Sequence, residues 1–105
     1  MDPSTAHERR DELVFLDVRE DEEWAAGHIE GSVHIPMAEL SARQAEIPQD
    51  RPIAAVCRTG GRSAAVTEAL ARAGYDVSNL VGGVAQWRAA GLELVTDEGG
   101  PGTVM

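Results

Sequence analysis

Residues 52 to 74, PIAAVC-RTGG-RSAAVTEALARAG, constrain the fold more than any other stretch of the chain. The first six residues are an apolar run with little alternation, as a strand covered on both faces requires. The TGG segment interrupts that run, and an alanine-rich stretch of strong helical propensity follows, closed by Gly74. Its apolar stripe is Ala65, Val66, Ala69, Leu70 and Ala73. A short strand that passes through a tight loop into a helix is the opening of a parallel βαβ unit.

The rest of the chain repeats the alternation. LVFLDV (13 to 18) is a second run suited to a strand covered on both faces, and EDEEWAAGH places acidic residues where a first helical turn favours them, with Gly27 as the stop. SVHIP (32 to 36) is a short strand ended by Pro36. AELSARQAEI (38 to 47) sets Leu40, Ala45 and Ile47 near helical spacing and is expected to be an amphipathic helix. IPQDRP is a turn bounded by prolines, VSNLVGG a strand and turn, and VAQWRAAG a last helix. Three glycines and a proline between residues 96 and 105 predict a disordered tail. The expected fold is therefore a single α/β domain over residues 1–95, with a short, largely parallel sheet and helices on both faces.

At 105 residues the chain supports one core. No apolar run approaches the ~18 residues that span a bilayer, and the opening MDPSTAHERRDE has no apolar stretch of the kind a secretory signal carries. One cysteine forms no intramolecular disulfide, which fits a reducing compartment, and a cytoplasmic location is expected. The net charge of −9 argues against nucleic acid and anionic membranes as partners of the surface as a whole.

Against that acidic background, the lone Cys57 stands beside Arg58 and Arg62. At a strand-to-helix junction a cysteine meets unpaired backbone N–H groups and the positive end of the helix dipole. Gly60 and Gly61 permit a sharp turn that converges those N–H groups. Each effect favours the reactive thiolate over the thiol, whose reference pKa is ~8.5. The plainer alternative is a small buried residue ending a strand. Cysteine phosphatases place their arginine six positions after the nucleophile; Arg62 lies five positions after Cys57 and Ser63 takes the sixth, so the cradle is one residue shorter and phosphate-ester hydrolysis ranks low.

Taken together, these segments resemble the rhodanese family of sulfurtransferases. LVFLDVRE is similar to the family's DVR strand, and EEWAAGHIEGSVHIP to its E-aromatic-x-x-G-H-I segment. Cys57 through Arg62 resemble the six-residue active loop of single-domain members, and LVGGVAQWRAAGLEL their closing G-G-x-x-x-W segment. The resemblance implies sulfur transfer through a persulfide on Cys57, with Arg58, Thr59, Gly60, Gly61 and Arg62 surrounding the sulfur and Asp17, Arg19 and Ser63 shaping or supporting the pocket. It implies a small sulfur-containing anion such as thiosulfate as donor, cyanide or a thiol (a protein thiol included) as acceptor, and no metal or organic cofactor. A sulfur carrier serving protein partners and a non-catalytic interaction domain are the alternatives, as monomer or homodimer. His28, Trp24 and Trp87 are expected to be structural, and Gly82 and Gly83 to serve a turn. Two departures stand out: Glu23 and Thr59 occupy positions where classical thiosulfate enzymes carry basic residues. Only about a dozen residues precede the DVR strand, which predicts an abbreviated sheet edge.

Overall fold

Four strands form one parallel sheet in the computed structural model, which describes residues 1–105. They are Val14–Asp17 (β1), Val33–His34 (β2), Ile53–Val56 (β3) and Val77–Asn79 (β4), in the order β2-β1-β3-β4. Leu16 stands opposite Val33 on one side and Ala55 on the other, and Ala55 in turn opposes Asn79. The chain leaves β1 toward β2 and leaves β3 toward β4, in opposite directions. Such opposed departures open a crevice beyond the carboxyl ends of β1 and β3.

All eight residues of β1 and β3 are buried, as their continuous apolar runs require. Phe15, Ala54 and Val56 face one layer, packing with Ala6 of α1 (Pro3–Glu8) and with Val84 and Trp87 of α4 (Gly83–Ala89). Leu16, Ile53 and Ala55 face the other, against Val66 and Leu70 of α3 (Gly61–Arg72) and Ile47. Burying each aliphatic side chain contributes about 1.5–3 kcal/mol, against about 1 kcal/mol net for a hydrogen bond, so packing on both faces holds these short strands. Asp21–Ala26 (α2) follows β1; Glu20 accepts from its third backbone N–H, and Glu23 returns the contact to the Glu20 N–H. No helix is long and apolar enough to cross a membrane.

The structure departs from the sequence-based expectations in three places. Residues 38–47 form no α-helix; two 3₁₀ turns, Met37–Glu39 and Gln44–Glu46, take its place. Of the three apolar residues at helical spacing, only Ile47 is buried and Leu40 half-buried, while Ala45 is exposed, too little apolar surface to hold so short a helix. Residues 96–105 do not trail away. The Gly102 N–H donates to the Leu94 carbonyl and the Thr103 N–H to the Ala26 carbonyl, while Val104 packs on the core. Gly102 is what permits this: a Cβ there would stand 2.6 Å from the Gly27 Cα. At the β4 edge, Met1 donates its N–H to the Asn79 carbonyl and accepts from Val81 N–H, so the edge expected to be abbreviated is partly covered.

Candidate active site

Cys57 follows β3 at the crevice, with only 1% of its surface exposed. Three donors converge on its Sγ: the Gly60 N–H at 3.0 Å, the Ser63 hydroxyl at 3.2 Å and the Ser63 N–H at 3.4 Å. Gly60 makes this possible, because at φ +100° it turns the loop back toward the sulfur at a backbone angle that other residues resist. The twelve-residue α3 begins at the next residue, so its unpaired N–H groups and dipole point at Sγ. Burial is the largest single influence on the Cys57 thiol and pushes its pKa up. The Ser63 hydroxyl and the N–H groups of Ser63, Gly60 and Thr59 together outweigh it and hold the thiol below its ordinary value.

The loop is fixed from behind by α4. The Val84 N–H donates to the Cys57 carbonyl and the Ala85 N–H to the Arg58 carbonyl, both at 3.0 Å. Gly82 and Gly83 make the expected turn, at φ +77° and +60°. Gly83 has a second task, because a Cβ there would stand 2.3 Å from the Cys57 carbonyl oxygen.

Asn79, which the sequence reading did not single out, is part of the site. Its Nδ2 donates to the Gly60 carbonyl at 3.1 Å and its Oδ1 accepts from the Ser63 hydroxyl at 2.6 Å. Ser63 is completely buried and thus joins β4 to the sulfur. The VSNL segment carried a signal of sorts, since an asparagine inside a short buried-edge strand calls for polar partners.

The two loop arginines are engaged elsewhere. Arg62 pairs with both carboxylate oxygens of Glu23 across the crevice, Nη1 to Oε1 at 2.7 Å and Nη2 to Oε2 at 2.8 Å. The Arg62 hydrogen bonds are the main reason that the Glu23 carboxyl is lowered to about 2; burial opposes them, and the Glu20 N–H and the charges of Arg62 and Arg19 assist. Arg58 is exposed and donates through Nε to the Met105 carbonyl at 3.0 Å. Thr59 and Gly61 are exposed at the mouth of the loop.

Asp17 and Arg19 form a buried ion pair, with Arg19 Nη2 2.8 Å and Nε 3.0–3.1 Å from the Asp17 carboxylate. The remaining Arg19 donors reach the carbonyls of Gly27 and Glu23. The pair therefore fastens the end of β1 to α2 and supports Glu23 from beneath. His28 donates through Nδ1 to the Trp24 carbonyl and stacks on the Trp24 ring at 3.5 Å, while His34 stacks at 4.7 Å. Trp24 is half-buried between these rings, whereas Trp87 lies in the core with its indole N–H on the Glu93 carbonyl. No group of three His, Cys, Asp or Glu side chains is placed to hold a metal ion.

The structure thus sets a donor-ringed cysteine at the switch point of a parallel α/β sheet. The chain belongs to the rhodanese-like domain family, whose model matches residues 2–90. It is 37% identical over 90 residues to a sulfurtransferase of Allochromatium vinosum, covering 85% of this chain and 84% of that one. An HTH-type transcriptional regulator of Mycobacterium tuberculosis is 46% identical over 93 residues; the match takes in 86% of this chain but spans only 40% of the regulator. Among solved structures, a rhodanese-related protein from Thermoplasma volcanium superposes with a TM-score of 0.89 at 31% identity, over 92% of this chain and 97% of that one.

Proposed function

We propose that this domain is a sulfurtransferase that carries sulfane sulfur as a persulfide on Cys57. The observation that carries the reading is the convergence of three donors on one buried sulfur whose pKa is lowered despite burial. Membership of the rhodanese-like family and the likeness to a named sulfurtransferase support it.

The cycle has two displacements. The Cys57 thiolate attacks the outer sulfur of a donor, whose S–S bond breaks with its electron pair leaving on sulfite, when thiosulfate is the donor, or on a thiolate. The new terminal sulfur extends into the space in front of the loop, where the N–H groups of Thr59, Gly60, Gly61 and Arg62 are available to it. An acceptor thiolate or cyanide then attacks that sulfur, and the Cys57 thiolate is regenerated. The Gly60 N–H and the Ser63 donors stabilise the charge each time it returns to Sγ. Asp17 and Arg19 act by holding the crevice wall rather than by touching the sulfur.

Intact-mass spectrometry of the protein after exposure to a sulfane-sulfur donor tests this directly. One added sulfur atom, removed by cyanide and absent in Cys57→Ser, is expected. Sulfur uptake retained by Cys57→Ser, or no uptake from any donor, would remove the reading.

A further inference from the structure

Arg62 stands at the first turn of α3, with its guanidinium close enough to Cys57 for the two charges to act on one another. A guanidinium so placed is the natural anchor for an anionic donor. Here its planar fork is already filled. Glu23 receives two parallel N–H donations, its side chain is only 13% exposed, and its geometry is set by the Glu20 N–H and by the buried Arg19 beneath it. The second cation, Arg58, turns its Nε to the chain's own Met105 carbonyl. Around the sulfur remain uncharged donors: the Gly60 N–H, the Ser63 N–H and the Ser63 hydroxyl on Sγ itself, and the Thr59, Gly61 and Arg62 N–H groups in front of the loop. That set matches a single sulfur anion. It does not match the three oxygens and two charges of a thiosulfate ion, which would have to displace Glu23 from Arg62 and then lie against its carboxylate.

We propose that Glu23 is a specificity-determining residue: by occupying Arg62 across the crevice, it turns the site away from thiosulfate and toward hydropersulfides, R–S–SH, as sulfur donors. The proposal rests on the sulfurtransferase reading above and names its donor class. The step balances without a further reagent. The Cys57 thiolate attacks the outer sulfur of R–S–SH, the donor's S–S bond breaks, R–S⁻ leaves with the electron pair, and Cys57–S–SH is formed. The donor brings at most one negative charge, carried on the sulfur that the N–H groups receive.

The test compares the wild type, Glu23→Gln and Glu22→Gln for the rate of sulfur loading measured by intact mass. The two donors are thiosulfate and the hydropersulfide of 2-mercaptoethanol, which has no sulfonate. Glutamine retains a carbonyl for the Glu20 N–H, so the start of α2 keeps its cap. Glu22 is exposed on the same helix, and its substitution removes the same charge without touching Arg62. The expected result is hydropersulfide loading retained in all three proteins and changed less than about twofold in Glu22→Gln, which also shows the site intact. Thiosulfate loading should rise about tenfold in Glu23→Gln, equivalent to 1.4 kcal/mol, and stay near wild type in Glu22→Gln. An unchanged thiosulfate-to-hydropersulfide ratio in Glu23→Gln, or an equal gain in Glu22→Gln, overturns the role of Glu23 while leaving sulfur transfer standing. Failure of all three proteins to load from either donor overturns the sulfurtransferase reading and the proposal with it.

Discussion

Ser63 has one hydroxyl proton and two acceptors within reach, the Cys57 sulfur at 3.2 Å and the Asn79 Oδ1 at 2.6 Å. While Cys57 is a thiol, its S–H can donate to the Ser63 oxygen and the hydroxyl can serve Asn79. Once the thiolate forms, the hydroxyl gains most by turning to sulfur. Replacing Asn79 by Asp sets a carboxylate where the amide oxygen stood, which holds the hydroxyl proton and adds a like charge near the sulfur. Sulfur loading rises with pH as the thiolate forms, and in the wild type the rise comes below the ordinary cysteine range. Asn79→Asp should move the rise to higher pH and slow loading at neutral pH by about tenfold, the effect of one pKa unit. Rate–pH profiles of the two proteins check this; superimposable profiles would show that the hydroxyl is not shared. Cys57, Gly60 and Ser63 were legible in the sequence because a strand, two glycines and a helix start lie within a few residues of each other. Asn79 and the Glu23–Arg62 pair were not, since each reaches the site from a different strand or helix, which only the folded sheet brings near.

At the scale of elements, the loop depends on α4 as much as on α3. The first N–H groups of α4 take up the Cys57 and Arg58 carbonyls, so this helix start is capped in reverse by the loop it fixes. Gly83 is the point of closest approach. Gly83→Ala puts a Cβ 2.3 Å from the Cys57 carbonyl oxygen at a backbone angle of φ +60°. Strain of that kind costs about 1–3 kcal/mol before the clash is counted. A fall in Tm of roughly 10 °C, together with slower sulfur loading, is expected from thermal melts and mass spectrometry. A Tm within about 2 °C of wild type would mean that α4 can retreat without loosening the loop. The glycine pair was readable as a turn, yet its contact with Cys57 was not, because 25 residues of α3 and β4 intervene. The same blindness to partners explains residues 38–47, where helical spacing was present but the surface to pack against was too small. It also explains residues 96–105, whose glycines signalled disorder yet allow the backbone to lie against Gly27.

The whole molecule measures 34 × 26 × 23 Å and carries a net charge of −9, so any anionic donor approaches against its field. Locally, Arg62 is neutralised by Glu23, while Arg58 is exposed and donates to the main-chain oxygen of Met105. Which of these governs the approach depends on reach. At about 0.01 M ionic strength the Debye length is roughly 30 Å, comparable with the molecule, and the full charge repels the donor. At about 0.15 M it falls to roughly 8 Å, and only residues around the loop are felt. Thiosulfate loading should therefore accelerate severalfold across that range, as screening removes the repulsion, while a hydropersulfide with at most one charge should respond less. Loading rates measured at constant pH across a salt series decide the matter. If salt instead slows thiosulfate loading, attraction by the loop cations outweighs the net charge, and the −9 serves solubility rather than selection of the donor.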